Sequence, residues 1–271
     1  MTMTETMVAS TASDDVIVRA LARNWHTLRR SFAMVPTVRL RDDAHAFWFS
    51  TGIPSAWFNA VLFARFTPEE ADTEIADISA HFRAQYVPWL WFIDPDSGPD
   101  DLGARLRAHG MERAFDCRNM AMALPDVPLT APLPPDVSIY PVVDDATFAL
   151  WRMVAMIGDE RDDRASIDLQ IATSLAPNRL HFVATLRGEP VARATIVPAA
   201  GVAGLYGVAT LPPARGRGIG HAITCAALDA ARGMGYEVAV LQSSPMGYPI
   251  YIRIGFHALP VFPTYVWRPP E

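Results

Sequence analysis

Two periods of apolar residues organise the second half of the chain. Residues 179–187 (Arg-Leu-His-Phe-Val-Ala-Thr-Leu-Arg) and 190–197 predict strands, and Gly188-Glu189 between them predicts a hairpin turn. Residues 202–209 predict a third strand. From 218 to 234 the period lengthens: Ile219, Ala222, Ile223, Ala226, Ala230 and Met234 recur at i, i+3, i+4, which is one face of a helix. Gly235 is placed to end it. A fourth strand at 236–241, a short helix at 247–254 and a late strand at 261–267 follow. An earlier helix at 144–155 carries Phe148, Trp151, Met153 and Val154 as anchors. The pattern is mixed α/β.

The first half repeats the alternation less regularly. It predicts a strand at 60–66, a helix at 69–83 with Ile75, Ile78 and Phe82 inside, a strand at 89–93, and a short helix at 100–109 stopped by Gly110-Met111. Trp48, Phe49, Trp57, Phe58, Trp89 and Trp91 read as packing aromatics, or as the lining of a cleft. Prolines 125, 128, 132, 134 and 135 crowd one stretch, where fixed φ angles and missing donors cannot continue a helix or central strand. The expected organisation is a flexible tail (1–15), a first domain (16–125), a proline-rich linker (126–136) and a second domain (137–271).

Composition narrows the class. The 271 residues are 51% hydrophobic and 19% charged, enough apolar material for one large core or two smaller ones. No apolar run has the length of a membrane span, and residues 1–13 lack the basic start and apolar stretch of a signal peptide, so a cytoplasmic protein is expected. The net charge of -6 disfavours a nucleic-acid binder. All 23 basic residues are Arg. Cys117 and Cys225 are too few for a disulfide framework and lack metal spacing, so both are expected as small buried residues, with no metal site.

The chemistry concentrates in Val208-Ala-Thr210-Leu-Pro-Pro-Ala-Arg215-Gly216-Arg217-Gly218-Ile219-Gly220-His221, which joins a strand to the amphipathic helix. Alternate glycines let backbone approach a ligand and present successive N–H groups, and the helix start adds unpaired amides and the positive end of the dipole. Arg215 and Arg217 add charge and forked donors, so a phosphate or pyrophosphate is the expected ligand. A solvated flexible loop is the plain alternative. A P-loop needs G-K-[ST], which is missing. A dinucleotide fold needs G-x-G-x-x-G and an acid at the far end of the next strand, where Gln242 stands. Only 51 residues follow Gly220, too few to complete such a sheet.

Arg215-Gly-Arg-Gly218-Ile-Gly220 resembles the R/Q-x-x-G-x-G/A signature of the GNAT N-acetyltransferase superfamily, and Ile250-Tyr251-Ile252-Arg253-Ile254-Gly255-Phe256 resembles its L-Y-x-x-x-G-F stretch. The resemblance covers residue 137 to the C-terminus. It implies the acyl-CoA N-acyltransferase fold, a mixed, mostly antiparallel sheet flanked by helices, and acetyl-CoA as co-substrate. It further implies that Val208, Ala209 and Thr210 face the pantetheine arm, that Arg215, Gly216, Arg217, Gly218, Ile219, Gly220 and His221 hold the pyrophosphate, and that Tyr251 protonates the departing thiolate. Ser244 stands where the family often has a cofactor-binding Asn. An offset of 145 maps Gly255-Phe256 onto Gly110-Met111, so the first domain resembles a degenerate copy. Its phosphate position, Thr67-Pro-Glu69-Glu70-Ala-Asp72-Thr-Glu74, has four acids and no glycine, and would repel a pyrophosphate.

The implied reaction is direct acetyl transfer, in a ternary complex, to the amine of a small molecule or peptide by a monomer or homodimer, with neither nucleic acid nor membrane as partner. The places where the family often has an acid are Gly204 and Ala239, so no base is named. His181, His221, Asp159 and Glu160 are candidates by residue type, and Tyr248 and Tyr206 are alternative phenols. Two other readings stay open: an acyltransferase of the mycothiol-synthase kind with a different donor or acceptor, and a non-catalytic acyl-CoA-binding sensor or assembly module.

Overall fold

The computed structural model describes residues 6–125, 127–129, 131–157 and 164–270. The first half holds helix α1 (Asp14–Arg30), strands β1 (Arg39–Asp42), β2 (Phe47–Ser50) and β3 (Asn59–Leu62), helix α2 (Ala71–Ala84), strand β4 (Trp89–Phe92), helix α3 (Leu102–Ala108) and strand β5 (Glu112–Ala123). The second half holds β6 (Val137–Pro141), α4 (Asp145–Ile157), α5 (Arg164–Ser174), β7 (Leu180–Leu186), β8 (Glu189–Ala199), β9 (Val202–Thr210), α6 (Ile219–Gly233), β10 (Val238–Ser243), α7 (Tyr248–Ile254), β11 (His257–Ala258) and β12 (Phe262–Trp267).

The compact units cut the chain elsewhere than at the prolines. One unit comprises residues 1–25 and 119–259, the other 26–118 and 260–271. Leu129 is 5% exposed within the core of the first of these, so the proline-rich stretch is partly folded into that unit rather than a free linker. The N-terminal tail is also shorter than expected. Helix α1 starts at Asp14, the Val8 amide donates to the Gly201 carbonyl at 2.9 Å, and the Ser10 amide and hydroxyl donate to the Glu237 carboxylate at 2.9 and 3.0 Å.

In the unit of residues 1–25 and 119–259, β6, β7, β8 and β9 run antiparallel in sequence order, with registers such as Val137↔Leu186, Leu180↔Ile196 and Ala192↔Thr210. Arg187 and Gly188, with φ of +54° and +87°, make the two-residue turn between β7 and β8. Strand β10 then joins β9 in parallel through the crossover helix α6. Alternation along β7 divides the core: Phe182 and Ala184 cluster with Ile223 and Leu228 of α6, while Val183 clusters with Trp151, Val154 and Ala155 of α4. The buried stripe of α6 is Ile219, Ala222, Ile223, Ala227, Leu228 and Ala231. Of the other positions expected inside, Ala230 packs at the edge of the same core, Ala226 is half-buried, and Met234, at the helix end, is exposed.

The second unit has the order β1-β2-β3-β4-β12-β5. Strand β12 pairs antiparallel with β4 (Tyr265↔Trp91) and with the first half of β5 (Phe262↔Cys117). Trp89, Trp91 and Phe82 fill its core, with the Phe82 and Trp89 rings stacked at 4.7 Å. Trp57, expected as a packing aromatic, is 46% exposed. Both cysteines are buried, as their type suggested. The two units repeat one device. In each, a crossover helix returns the chain to a parallel pair recorded over two residues: Ala60↔Leu90 and Val61↔Trp91 around α2, Ala203↔Ala239 and Gly204↔Val240 around α6. Each then has a seven-residue helix closed by a left-handed glycine, Gly110 or Gly255.

Helix α1 is fastened to the β8–β9 hairpin by Asn24, fully buried, whose Nδ2 donates to the carbonyls of Val197 (2.8 Å), Ala199 (2.9 Å) and Val202 (3.2 Å). Its Oδ1 accepts the Tyr206 hydroxyl at 2.8 Å. Gly204 permits this, since a Cβ there would overlap both Asn24 and the Tyr206 ring. Replacing Asn24 by Ala strands a phenol and several carbonyls, and is expected to destabilise the unit by about 2–4 kcal/mol, read as a lowered urea midpoint.

Candidate functional site

The site is built on the end of β9. Its ladder with β8 shifts register between Arg193 and Thr195, where one extra residue of β9 is accommodated beside Gly207, at φ +59°. On its other edge β9 pairs with β10 only through Ala203 and Gly204, although it runs on to Thr210 and β10 runs on to Ser243. The two parallel strands therefore part, and residues 206–210 line one limb of a wedge without a ladder partner on that side.

The glycine loop closes the wide end of that limb. The Arg215 Nε donates to the Thr210 carbonyl at 2.9 Å, folding the loop back on the strand. Gly216 and Gly218 both have left-handed backbones, φ +75° and +79°, and among the described residues beyond its chain neighbours no heavy atom lies within 4 Å of the place a Gly216 Cβ would take. Helix α6 has no side-chain cap, and its first bond runs from Ala222 to the Gly218 carbonyl. The amides of 216–221 thus donate to no group among the described residues. Arg215 through Gly218 are exposed, Ile219 is buried into the core, and Gly220 lies against Thr210 Oγ1, 3.4 Å from a would-be Cβ. Val208, Ala209 and Thr210 end β9, and residues 215–221 follow through the loop into the first turn of α6, with Ile219 turned into the core.

On the other limb, Ser244 is exposed and its hydroxyl accepts the Gly247 amide at 3.1 Å, so it organises the turn into α7. The Tyr251 ring packs edge-on against Phe256 at 5.7 Å and beside Gly247, and burial pushes its phenol up to about 12. Tyr248 is half-buried against the same core cluster, and Tyr206 is committed to Asn24.

The candidate bases fare differently. His181 is a buried structural residue: Nε2 faces the Ser174 carbonyl at 2.9 Å, Nδ1 faces Thr195 Oγ1 at 2.8 Å, and Trp151 lies 4.5 Å from its ring. Burial, against the Ser174 carbonyl's opposing pull and with Arg179 and Arg193 adding to it, holds its pKa below the usual imidazole value. His221 lies in the first turn of α6, half-exposed. Asp159 and Glu160 lie outside the described residues. Among the described residues no group of three or more His, Cys, Asp or Glu is placed to hold a metal ion, and no helix is long and apolar enough to cross a membrane.

The equivalent wedge in the other unit is filled by the protein itself. Asp94, 4% exposed, follows β4 and accepts the Phe63 amide at 2.6 Å, the Ser97 hydroxyl at 2.8 Å and the Asp96 amide at 3.0 Å. Beyond it the Gly98 amide donates to the Ala64 carbonyl at 2.8 Å, and Arg65 forms a parallel bridge with Gly98. Sequence reading pointed to the four acids at the start of α2 but missed this plug, which has no local sequence signature.

Residues 146–256 match the family model described as the acetyltransferase (GNAT) family, which makes this segment a GNAT acetyltransferase domain. Among solved structures, a GCN5-related N-acetyltransferase from Kribbella flavida superposes with a TM-score of 0.69 at 19% identity, covering 94% of this chain and 96% of its own. One from Sphaerobacter thermophilus gives 0.62 at 16% identity, covering 98% and 95%. A tandem GNAT protein from the clavulanic acid biosynthesis pathway gives 0.61 at 12% identity, covering 98% of each chain. The fold is thus that of a tandem GNAT protein, with a second GNAT-like unit in the first half. No curated protein matches the chain by sequence.

Asp94→Ala leaves the Phe63 amide buried without its acceptor, and is expected to lower stability by about 1–3 kcal/mol. Thermal melting of the variant beside wild type checks this.

Proposed function

We propose that the protein transfers an acetyl group from acetyl-CoA to the amine of a small molecule or peptide, by direct attack within a ternary complex, at the wedge between β9 and β10. The observation that carries this is the row of unbonded amides at 216–221, beside a strand edge with no ladder partner, inside a segment matching an acetyltransferase family. Bare amides at a helix start, two flanking arginines and glycines free of neighbours fit a pyrophosphate in charge and in space. The free edge of Val208–Thr210 offers strand-type donors and acceptors that match the amides of a pantetheine arm. Ser244 contributes its remaining hydroxyl capacity on the opposite limb. Acetyl-CoA supplies the activated thioester.

Tyr251 is the proposed donor to the departing sulfur. A phenol near 12 stays protonated throughout the neutral range and serves as donor only. A free thiol ionises near ~8.5, so full transfer from such a phenol to a formed thiolate runs uphill by several kcal/mol, and a strong hydrogen bond to the developing charge is its contribution. Most of the acceleration then comes from holding amine and thioester together, an effect worth up to roughly 7–11 kcal/mol in well-oriented systems.

Tyr251→Phe is expected to lower kcat by about 10²-fold with little change in KM, measured by thiol release. An unchanged kcat would remove Tyr251 from the mechanism. Because the phenol pKa is raised, its protonated form persists, and kcat is expected to show no falling alkaline limb from Tyr251 below pH ~10. Gly218→Asp puts a carboxylate and a Cβ into the cradle. Calorimetry with CoA is expected to register no binding, while circular dichroism stays that of wild type. Retained affinity refutes the loop assignment. Wild-type binding of NADH but not of CoA ends the acyltransferase reading, and CoA binding without thiol release for any amine favours the sensor.

A further inference from the structure

We propose that the proline-rich stretch before β6 is a fixed platform for the adenosine end of coenzyme A, with Leu133 and Pro134 as its contact residues. This rests on the coenzyme A reading above and extends it to a surface outside the segment matched by the family model.

The placement is direct. Among the described residues beyond its chain neighbours, Pro134 Cγ is the heavy atom within 4 Å of the position a Gly218 Cβ would take, at 4.0 Å, so this stretch borders the proposed pyrophosphate cradle. It is anchored on both sides of that point. Before it, Leu129 is buried in the core, Val127 packs on the same cluster, and Arg232 Nη1 donates to the Val127 carbonyl at 2.9 Å. After it, the Val137 amide donates to the Pro134 carbonyl at 3.2 Å, and Arg187 donates to Asp136 through its backbone amide (2.8 Å) and its Nε (3.2 Å). Between these anchors Leu133, the residue before Pro134, is an apolar side chain left 55% exposed.

The geometry of the ligand selects the occupant. With the diphosphate on 216–221 and the pantetheine arm along β9 toward the wedge, the nucleoside departs from the opposite side of the loop. A flat, uncharged base has the chemistry to cover a leucine and a proline, whereas a phosphate has none. Because prolines and hydrogen bonds already fix the platform, little ordering cost falls on binding.

The test compares dephospho-CoA, which keeps the adenosine and lacks the 3′-phosphate, with 4′-phosphopantetheine, which lacks the whole adenylate and so ends in a single phosphate. Calorimetry uses the full chain as wild type, Leu133→Gln and Leu133→Ala. Both substitutions are at an exposed side chain and leave the cradle intact. The expected result is a loss of about tenfold in affinity for dephospho-CoA and for CoA, with the affinity for 4′-phosphopantetheine unchanged. KM for acetyl-CoA rises by the same factor while kcat holds. Unchanged affinity for dephospho-CoA overturns the proposal, as does an equal loss for both ligands. Failure of wild type to bind CoA at all is the separate failure of the underlying reading.

Discussion

Everything that distinguishes this molecule's proposed site follows from the parting of two parallel strands. Backbone N–H and C=O groups along a strand edge need partners, and burying them without any costs about as much as losing the bonds. The β3–β4 pair answers that demand internally: Asp94 takes the Phe63 amide and the Ala64–Gly98 bond carries the contact outward. The β9–β10 pair, with the same crossover and the same two-residue ladder, has no such plug among the described residues. One device repeated in the chain is closed in one copy and open in the other. A ligand with amides of its own is the complement the open copy lacks.

Local sequence signals were legible wherever a single residue type dictates local geometry. Gly188, Gly235 and Gly255 all have left-handed backbones at the turn or helix end expected of them, and α4, α6, α7 and β7 to β10 fall within a few residues of the periodic segments. The left-handed backbones of Gly216 and Gly218 were legible for the same reason. Gly207 inside a strand was a bulge signal that could have been used. What was not legible depends on distant partners. Helix α1 has its own apolar period, but its fastening by Asn24 to carbonyls more than 170 residues away has no local mark. Strands β1, β2, β5 and β6 and helix α5 lack clean alternation or a clear stripe, so only their neighbours reveal them. His181 read as a candidate base because a histidine in an alternating strand does not say which face is covered. Trp151 and α4 cover it.

The exchange of segments between the two units has the same origin. Each half of the sequence falls one element short of a closed unit. Residues 6–25 supply a helix and a strap to the unit bearing the open wedge, and β12 supplies the strand between β4 and β5 in the other. The segment matched by the family model contains the catalytic-type elements but neither of these. Its β8–β9 hairpin nevertheless depends on Asn24, which holds the carbonyls at the hairpin end and the phenol of Tyr206 together. A periodic reading locates elements in order. It does not say that an element before the linker completes a sheet formed after it.

The proton inventory finally decides what kind of catalyst such a wedge makes. An amine that attacks must arrive neutral or lose a proton, and the departing sulfur must gain one or be held by a donor. The His181 ring nitrogens are both engaged, by Thr195 and Ser174, and its burial disfavours the charged form. Tyr206 donates to Asn24. Burial raises the Tyr251 phenol above its ordinary value, which keeps it protonated at neutral pH. None of these three is placed as a base, and in the proposed reading Tyr251 is a donor. If the proposed reading holds, a site that grips one reactant electrostatically, offers one hydrogen-bond donor at the leaving atom and has no committed base among these groups gains its rate mainly from orientation. Such a site works best on amines already neutral at the working pH, so the acceptor's own pKa, rather than a residue's, sets the acid side of its pH profile.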